Sequence, residues 1–197
     1  AVDYTIESDW SAAASIMVAA AIAGEVTINN ISTLSRQADT AICRALERAG
    51  ASLIIEERSI TVAHRTLEAF EFDATQCPDL FPALVALAAA SEGVSTIKGI
   101  KRLRGKESDR GEALRAEYAK LGIDIELDYD EDVMRVVGGE PKAAMVDAHD
   151  DHRIAMSLAI TVLRVDEEVV IRGRESVAKS YPSFFEDLES LKIGDCE

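Results

Sequence analysis

The chain has 197 residues, 48% of them hydrophobic, and carries 21 basic against 36 acidic side chains for a net charge of -15. A chain of this length and apolar content can bury a sizeable core, and its negative charge excludes a general nucleic-acid or membrane surface. Its three cysteines are scattered and form no CxxC pair, which excludes a disulfide framework or zinc site and fits a reducing cytoplasm.

The longest apolar stretch, residues 12–24, is about half of what a bilayer span requires. No charged leader with a cleavage pattern precedes it. We therefore expect a protein that is neither secreted nor membrane-bound. The chain begins with Ala-Val rather than Met, from which we expect a fragment of a longer protein.

Three segments, starting at Ser8, Cys77 and Asp150, share one pattern. Each has an acidic start, an apolar helix rich in small residues, a short turn and a β-branched strand, and the segments recur about every 70 residues. After each of the first two comes a second helical pattern, which stops at Gly50 or Gly122, and then two strands around a polar turn. This periodicity is also what α/β proteins display by default, so accidental repetition stays open.

The repeated unit is β-α-β-α-β-β, with repeats at approximately residues 4–66, 70–138 and 143–195. The third copy is cut short after the helix that follows Pro182, so it needs strands from elsewhere. The helices of the repeated unit are apolar around most of their circumference, which predicts buried helices with sheets packed outside them. The sequence thus predicts an inside-out, barrel-like α/β domain. Without a Pro/Gly/Ser-rich linker, residues 1–197 are expected to form a single domain.

The densest basic cluster runs from Lys101 to Arg110 and sits where a strand ends and a helix begins. With Ser108 as the predicted N-cap, free backbone N–H groups would join Lys106 and Arg110 in favouring a phosphate or carboxylate. Glu107 is the one carboxylate there that could exchange a proton with a bound ligand. The alternative is a solvated loop in which Glu107 and Arg110 form a local ion pair.

Three other groups stand at equivalent junctions. Asp151-His152-Arg153 opens a helix, with Arg153 as a candidate anion clamp or a surface residue; no other histidine lies at ligand spacing, so no metal site is predicted. Lys179 precedes a helix opened by Pro182, and Asp79 follows Cys77-Pro78, where it is expected to be an N-cap more often than a functional group. Equivalent junctions of a repeated architecture cluster on one face, where α/β proteins bind ligands.

These motifs resemble those of the 5-enolpyruvylshikimate-3-phosphate synthases. The segment from Arg102 to Arg110 is similar to that family's RVKETDR segment, Pro78-Asp79 to its PDA motif, residues 151–156 to NDHRMAM, and residues 178–182 to AKTFP. The segment around Ser8 is similar to VEGDASSASYFLAAAAI. Five motifs in the family's order cover nearly the whole chain.

The resemblance implies the C-terminal domain of a two-domain enolpyruvyl transferase, with its active site in the cleft against a missing N-terminal domain. It implies a transfer of the enolpyruvyl group from phosphoenolpyruvate to the 5-hydroxyl of shikimate 3-phosphate, without a metal or organic cofactor. The implied catalytic residues are Asp79 and Lys106 at the attacking hydroxyl and Glu107 at the methylene carbon of phosphoenolpyruvate. The implied substrate-binding residues are Arg102, Arg110, Arg153 and Lys179.

Arg102 departs from the Asn or Glu that the family often has there, and Gly105 replaces a hydrophobic residue. The family's other substrate contacts belong to the other domain, so we expect the isolated chain to bind ligands weakly and to turn over nothing. Three alternatives remain: a related transferase acting on UDP-N-acetylglucosamine, a noncatalytic repeat module that binds an anion or a protein, and a purely structural domain.

Overall fold

The computed structural model describes residues 6–190, in which the helices and strands follow the predicted order from the first helix onward; the first predicted strand, expected from residue 4, lies outside the described residues. The helices are α1 (Trp10–Ala23), α2 (Ile42–Arg48), α3 (Phe81–Ala89), α4 (Arg110–Lys120), α5 (His152–Thr161) and α6 (Phe184–Ser190). The strands are β1 (Glu25–Asn29), β2 (Ser52–Ile55), β3 (Ser59–Ala63), β4 (Glu71–Asp73), β5 (Val94–Lys98), β6 (Ile125–Asp128), β7 (Val133–Val137), β8 (Met145–Asp147) and β9 (Val170–Arg172). Short 3-10 helices lie before α2 and α3 and at Ile100–Leu103 and Arg174–Lys179.

Three helices, α1, α3 and α5, pack against one another in the centre of the fold. Every residue of α3 is buried, as is every residue of α5 except Arg153. Small residues in these helices let their backbones approach closely, and burial of the remaining apolar side chains stabilises the bundle. The predicted inside-out arrangement is confirmed. No helix within residues 6–190 is long and apolar enough to cross a membrane.

Three sheets surround the buried helices. One has the order β1-β3-β2, the second β4-β5-β7-β6, and the third β8-β9. The antiparallel ladder β5-β7-β6 repeats that of β1-β3-β2, and the parallel pair β8-β9 repeats β4-β5. In the part of the chain that the structure describes, the third sheet thus has only the first two strands of the pattern.

The outer limits of the predicted repeats fall outside the described residues. The first repeat was expected to begin at residue 4 and the third to end at residue 195, whereas the structure describes residues 6–190. The limits of the repeats and the single domain over residues 1–197 therefore stay predictions.

The two glycines predicted to end helices do so. Gly50 and Gly122 follow the last turns of α2 and α4 with φ of 87° and 80°, a left-handed conformation that other residues adopt only at a cost. The Gly122 amide donates to the Ala119 carbonyl, and the Ile123 amide to that of Tyr118. The same pair of hydrogen bonds recurs after α2, so both helices end in a Schellman motif.

Helix α4 is tied to the buried bundle by the hydroxyl of Tyr118. This oxygen lies 2.6 Å from Ser157 Oγ and 2.7 Å from Thr161 Oγ1, both on α5. The Ser157 hydroxyl in turn donates to the Pro82 carbonyl on α3 at 2.6 Å. Burial raises the pKa of Tyr118 to about 12, so the hydroxyl stays neutral and available as a donor.

We expect Tyr118→Phe to lower the free energy of unfolding by about 1–2 kcal/mol, because a buried hydrogen-bonded hydroxyl is lost. Urea denaturation measures the change. Tyr129→Phe is the matched control: the Tyr129 hydroxyl is 3.4 Å from Glu112 and only partly buried, so its loss should change little. Equal effects of the two substitutions would contradict the role given to Tyr118.

Candidate active site

The predicted site residues gather at the end of the bundle where the central helices begin. The carboxylate of Asp9 caps α1 and that of Asp151 caps α5, the latter accepting the Arg153 amide at 3.0 Å. The turn before α3 supplies Asp79, and the loop before α4 supplies Lys106 and Glu107. Because helix N-termini carry free N–H groups and a partial positive charge, this end of the fold favours anions.

Arg110 forms the base of the site, with its side chain only 1% exposed. Its Nη1 lies 2.8 Å from Asp79 Oδ1, its Nη2 2.6 Å from Glu107 Oε2, and its Nε 2.8 Å from Asp151 Oδ2. Burial opposes its charge, but hydrogen bonds and attraction from these carboxylates outweigh burial and raise the pKa of Arg110. One guanidinium thereby joins the loops before α3, α4 and α5.

Asp79, like Arg110, binds several charged side chains of the site at once. Its Oδ1 accepts from Lys106 Nζ at 3.2 Å as well as from Arg110, and its Oδ2 lies 3.6 Å from Arg153 Nη2. Burial would raise the pKa of this carboxyl, but the positive charge of Arg153 and the bonds from Arg110 and Lys106 hold it below its ordinary value. We call Asp79, Lys106, Glu107, Arg110, Asp151 and Arg153 the ionic cluster.

Glu107 lies at the open side of the ionic cluster, where its side chain is 39% exposed. Its Oε1 is 3.7 Å from Nδ1 of His152, too far for a hydrogen bond. This buried nitrogen has no hydrogen-bond partner among the described residues. Burial and the nearby Arg153 charge lower the pKa of His152, so its imidazole is neutral at pH 7. Because Glu107 binds Arg110 through one oxygen and is 39% exposed, it can face both Arg110 and a molecule that enters from solvent.

Lys179 reaches the same end of the fold from the 3-10 helix at residues 174–179. Its Nζ lies 2.7 Å from Asp150 Oδ1 and donates to the Asp150 carbonyl at 2.5 Å. Asp150 directly precedes the Asp151 cap. Lys179 is thus held beside the ionic cluster through the loop before α5, and its side chain remains 43% exposed.

Arg102 is the predicted site residue that the structure does not join to the others. It lies in the 3-10 helix at Ile100–Leu103, is exposed, and makes no side-chain hydrogen bond or ion pair within residues 6–190. The neighbouring Arg104 is held differently, because its guanidinium stacks over the Tyr129 ring at 4.3 Å.

Two predicted caps were wrong. The N-cap of α4 is Asp109, whose carboxylate accepts the Glu112 amide, and not Ser108. The Ser108 hydroxyl instead donates to Asp151 Oδ2 at 3.1 Å. Asp79 is not a cap either: it lies inside the 3-10 helix before α3, and its carboxylate binds Lys106 in the loop before α4 and Arg110 at the start of α4.

Sequence reasoning missed the contacts of two carboxylates, one inside the ionic cluster and one near it. The sequence indicates for Asp151 only a place at the start of a helix, yet its fully buried side chain also binds Arg110. Asp39 accepts a hydrogen bond from Ser11, and its pKa is raised by burial, although the charge of Arg153 acts in the opposite direction. The aspartate before His152 was a visible signal, whereas nothing local in the sequence marks Asp39.

Asp151 predicts a pH-dependent stability. Burial opposes its ionisation, but bonds from Arg110, the Arg153 amide and Ser108 hold its pKa below 3.8. A lowered pKa stabilises the fold fully above the pKa of the unfolded chain, about 3.9, and this contribution is lost as pH falls through the lower folded value. We expect Asp151→Asn to cost about 3 kcal/mol at pH 7.

The cost of Asp151→Asn should begin to shrink below about pH 4, where the carboxyl of the unfolded wild-type chain binds a proton while that of the folded chain, with its lowered pKa, stays charged. Urea denaturation of both proteins between pH 7 and pH 3 measures it. Asp130→Asn is the matched control, because Asp130 lies in the exposed β6–β7 turn and its side chain makes no hydrogen bond or ion pair within residues 6–190. A cost for Asp151→Asn that stays constant over this range would contradict the buried ion pair.

Within residues 6–190, no group of three or more His, Cys, Asp or Glu side chains is arranged to hold a metal ion. The arrangement instead combines three cations that have N–H donors left for a ligand with one half-exposed carboxylate. The cations are Lys106, Arg153 and Lys179, and the carboxylate is Glu107. Such a site can bind an anion through directed N–H groups and exchange a proton with it.

Comparison with known proteins agrees with this arrangement. The family model described as EPSP synthase (3-phosphoshikimate 1-carboxyvinyltransferase) matches residues 1–188. A 3-phosphoshikimate 1-carboxyvinyltransferase of Clostridium perfringens is 42% identical over 96% of this chain and 45% of its own length. One of Methanosarcina acetivorans is 41% identical over 97% of this chain and 45% of its own length. The chain therefore spans about half the length of the curated relatives it matches.

Solved structures give the same result for the fold. EPSP synthase from Acinetobacter baumannii superposes with a TM-score of 0.82 at 31% identity, over 96% of this chain and 46% of that one. The enolpyruvyl transferase NikO from Streptomyces tendae superposes with a TM-score of 0.74 at 21% identity, over 98% of this chain and 45% of that one. The fold is that of the enolpyruvyl transferases. Within that class, the chain belongs to the EPSP synthase family.

Proposed function

We propose that this chain, residues 1–197 as one domain, is the C-terminal half of a 3-phosphoshikimate 1-carboxyvinyltransferase. The enzyme moves the enolpyruvyl group of phosphoenolpyruvate to the 5-hydroxyl of shikimate 3-phosphate and releases phosphate, in the shikimate pathway of aromatic amino-acid biosynthesis. Its N-terminal domain supplies the other half of the site. The observation that carries the proposal is the carboxylate of Glu107, half-exposed among cations.

An acid/base group distinguishes this site from a simple anion receptor. A module that only binds phosphate or carboxylate gains nothing from a carboxylate beside its cations, because the two negative groups repel each other. A catalyst that moves a proton onto and off carbon requires such a group within reach of the bound anion. Glu107 stands 2.6 Å from Arg110 and opens to solvent, which fits the second role.

The other residues divide between the two substrates. Arg110, Arg153 and Lys179 hold the phosphate and carboxylate of phosphoenolpyruvate, for which their charge and forked donors are suited. Asp79 and Lys106, which are 3.2 Å apart, face the attacking hydroxyl of shikimate 3-phosphate. Arg102 is exposed, so it binds shikimate 3-phosphate only if the N-terminal domain holds that substrate close to the Arg102 side chain. No metal or organic cofactor takes part.

The reaction is an addition followed by an elimination. Glu107 in its protonated form gives its proton to C3 of phosphoenolpyruvate, which makes C2 electrophilic. The 5-hydroxyl oxygen adds to C2, and its proton passes to the Lys106–Asp79 pair. Glu107 then removes a proton from C3 as the bond from C2 to the phosphate oxygen breaks. The surrounding cations stabilise the charge that grows on the departing phosphate.

In the free chain, carboxylates occupy much of this cationic surface. Arg110 faces three of them, and Asp150 holds Lys179. An incoming anion must compete with these partners, so the chain by itself is expected to bind phosphoenolpyruvate weakly and to release no phosphate. Such a biosynthetic enzyme works in the cytoplasm, which suits three scattered cysteines.

The test is phosphate release from phosphoenolpyruvate after this chain is mixed with a separately made N-terminal domain. Shikimate 3-phosphate and UDP-N-acetylglucosamine are compared as acceptors. Release with shikimate 3-phosphate alone is the expected result. Release with the nucleotide sugar alone would assign the chain to the related transferase. Anion binding without release, from an enzyme whose halves demonstrably associate, would favour a noncatalytic module.

A further inference from the structure

A buried carboxylate outside the ionic cluster holds the loop that leads into it. Glu117 lies in the second half of α4, and its side chain is 2% exposed. Its oxygens accept from Lys120 Nζ at 2.6 Å, from His149 Nε2 at 2.8 Å, and from the Asp147 amide at 2.8 Å. Two of these three donors come from the end of β8 and from the loop that leads to α5, Asp147 and His149 respectively.

The segment that Glu117 holds is conformationally costly. His149 and Asp150 both have left-handed backbones, with φ of 52° and 54°. A non-glycine residue in this region costs on the order of 1 kcal/mol or more and persists only where the surroundings enforce it. The enforcing contacts are those from Glu117, the bond from the His149 amide to Asp147 Oδ1 at 2.7 Å, and the Asp151 amide bound to the Ala148 carbonyl.

This strained turn presents two groups to the site. The carbonyl and carboxylate of Asp150 hold Lys179, at 2.5 and 2.7 Å. The next residue, Asp151, caps α5 and binds Arg110. A shift of residues 149 and 150 would therefore move Lys179 most directly, since its Nζ depends on Asp150 alone among the described residues.

We propose that Glu117 is a positioning residue for anion binding, acting through the left-handed turn at His149 and Asp150 to place Lys179. This inference rests on the proposed function, in which Lys179 holds phosphoenolpyruvate. Glu117 touches neither substrate, and its effect reaches the site only along the chain from α4 to the turn and from the turn to Lys179.

The role requires a carboxylate. Burial opposes the ionisation of Glu117, but the bonds from Lys120, His149 and the Asp147 amide outweigh burial and hold its pKa below the ordinary value. A glutamine carries no charge and has one acceptor oxygen; when that oxygen accepts the Asp147 amide, its NH2 group faces Nε2 of His149, so the imidazole N–H that bonds the glutamate loses its acceptor and Lys120 loses its ionic partner. Glu117→Gln keeps the shape of the side chain and removes this capacity.

The first test is amide hydrogen exchange in the chain itself. In Glu117→Gln we expect exchange at residues 147–151 to become at least tenfold faster, while α1 and α3 keep their protection. Glu112→Gln is the matched control: it makes the same change on α4 at an exposed ion pair with Arg115 and should leave this segment unaltered. Unchanged exchange in Glu117→Gln would overturn the proposal.

The second test is kinetic, in the enzyme assembled with its N-terminal domain. Glu117→Gln should raise KM for phosphoenolpyruvate about tenfold, the effect of one displaced charged contact, and change kcat less. In a Lys179→Ala background the same substitution should change KM by less than about twofold, because the two act in series. An equal effect in both backgrounds would mean that Glu117 only stabilises the fold and would overturn the proposal.

The two failures are distinguishable. If the assembled wild-type enzyme releases no phosphate, the proposed function fails, and hydrogen exchange alone decides whether Glu117 holds the turn. If Glu117→Gln does not fold, His149→Ala replaces it, since that residue is 41% exposed and leaves Glu117 paired with Lys120. It should speed exchange at residues 147–151 in the same direction, and no change there would overturn the proposal.

Discussion

Replacing Glu107 by glutamine is expected to lower turnover of the assembled enzyme by about 10²–10⁴-fold, the usual contribution of a positioned acid/base group. Glutamine can neither give a proton to C3 of phosphoenolpyruvate nor take one back. Its carbonyl can still accept from Arg110 Nη2, which lies 2.6 Å from the glutamate oxygen. The loop before α4 should therefore keep its conformation, and affinity for phosphoenolpyruvate should change by less than about threefold.

The measurement separates chemistry from binding. Steady-state phosphate release gives kcat, and titration of the assembled enzyme with phosphoenolpyruvate gives its affinity. Glu112→Gln, the same chemical change at an exposed position of α4, should keep wild-type values of both. If Glu107→Gln retained turnover within about threefold of wild type, the acid/base role of Glu107 would be wrong.

Replacing Arg110 by methionine is expected to lower the free energy of unfolding by about 3–5 kcal/mol, the usual result when one partner of a buried ion pair is removed. Methionine fills much of the same space but leaves the fully buried Asp151 carboxylate without its cation. Asp79 and Glu107 are more than a third exposed and can turn to water, so Asp151 accounts for most of the loss.

A double mutant tests this attribution. In Asp151→Asn the buried charge is already gone, so adding Arg110→Met should cost less than it does in wild type, by about 1 kcal/mol or more. Arg115→Met is the matched control on the same helix; its ion pair with Glu112 is about half exposed and is expected to contribute less than about 1 kcal/mol. Strictly additive losses for Arg110 and Asp151 would contradict the direct pairing.

The fold was largely predictable because its signals are local and repeated. Apolar helices rich in alanine could only be buried, and Gly50 and Gly122 marked helix ends through a backbone conformation that other residues adopt at a cost. The repeated units further indicated that the junction residues share one end of the fold. That placement brought Asp79, Lys106, Glu107, Arg110 and Arg153 together as expected.

What sequence reasoning missed depends on contacts between distant segments. Ser108 and Asp109 are both good N-caps, and the choice between them is set by Asp151, which lies 43 residues beyond Ser108 and accepts the serine hydroxyl. Arg102 looked equivalent to the other cations of its loop, yet it lies on the exposed side of a 3-10 helix. A linear pattern cannot tell which side of such a turn faces the site.

The burial of Glu117 could not have been found from the sequence either. In the sequence, Glu117 is followed three residues later by Lys120, and this spacing is typical of ion pairs on exposed helix faces. Only the packing of the β8–α5 segment on α4 buries it and supplies the donors from His149 and Asp147. In a chain of net charge -15, the acidic residues that shape the site are those to which the fold brings cationic partners.

The central claim is that the reaction passes through phosphoenolpyruvate protonated at C3. The most direct test is to run the reaction in D2O with this chain and its N-terminal domain and to determine the mass of the product by mass spectrometry. Reversible protonation at C3 by Glu107 predicts that deuterium enters the methylene group of the enolpyruvyl product, and of phosphoenolpyruvate recovered before completion. Product formed without deuterium in its methylene group would contradict addition and elimination through a protonated C3.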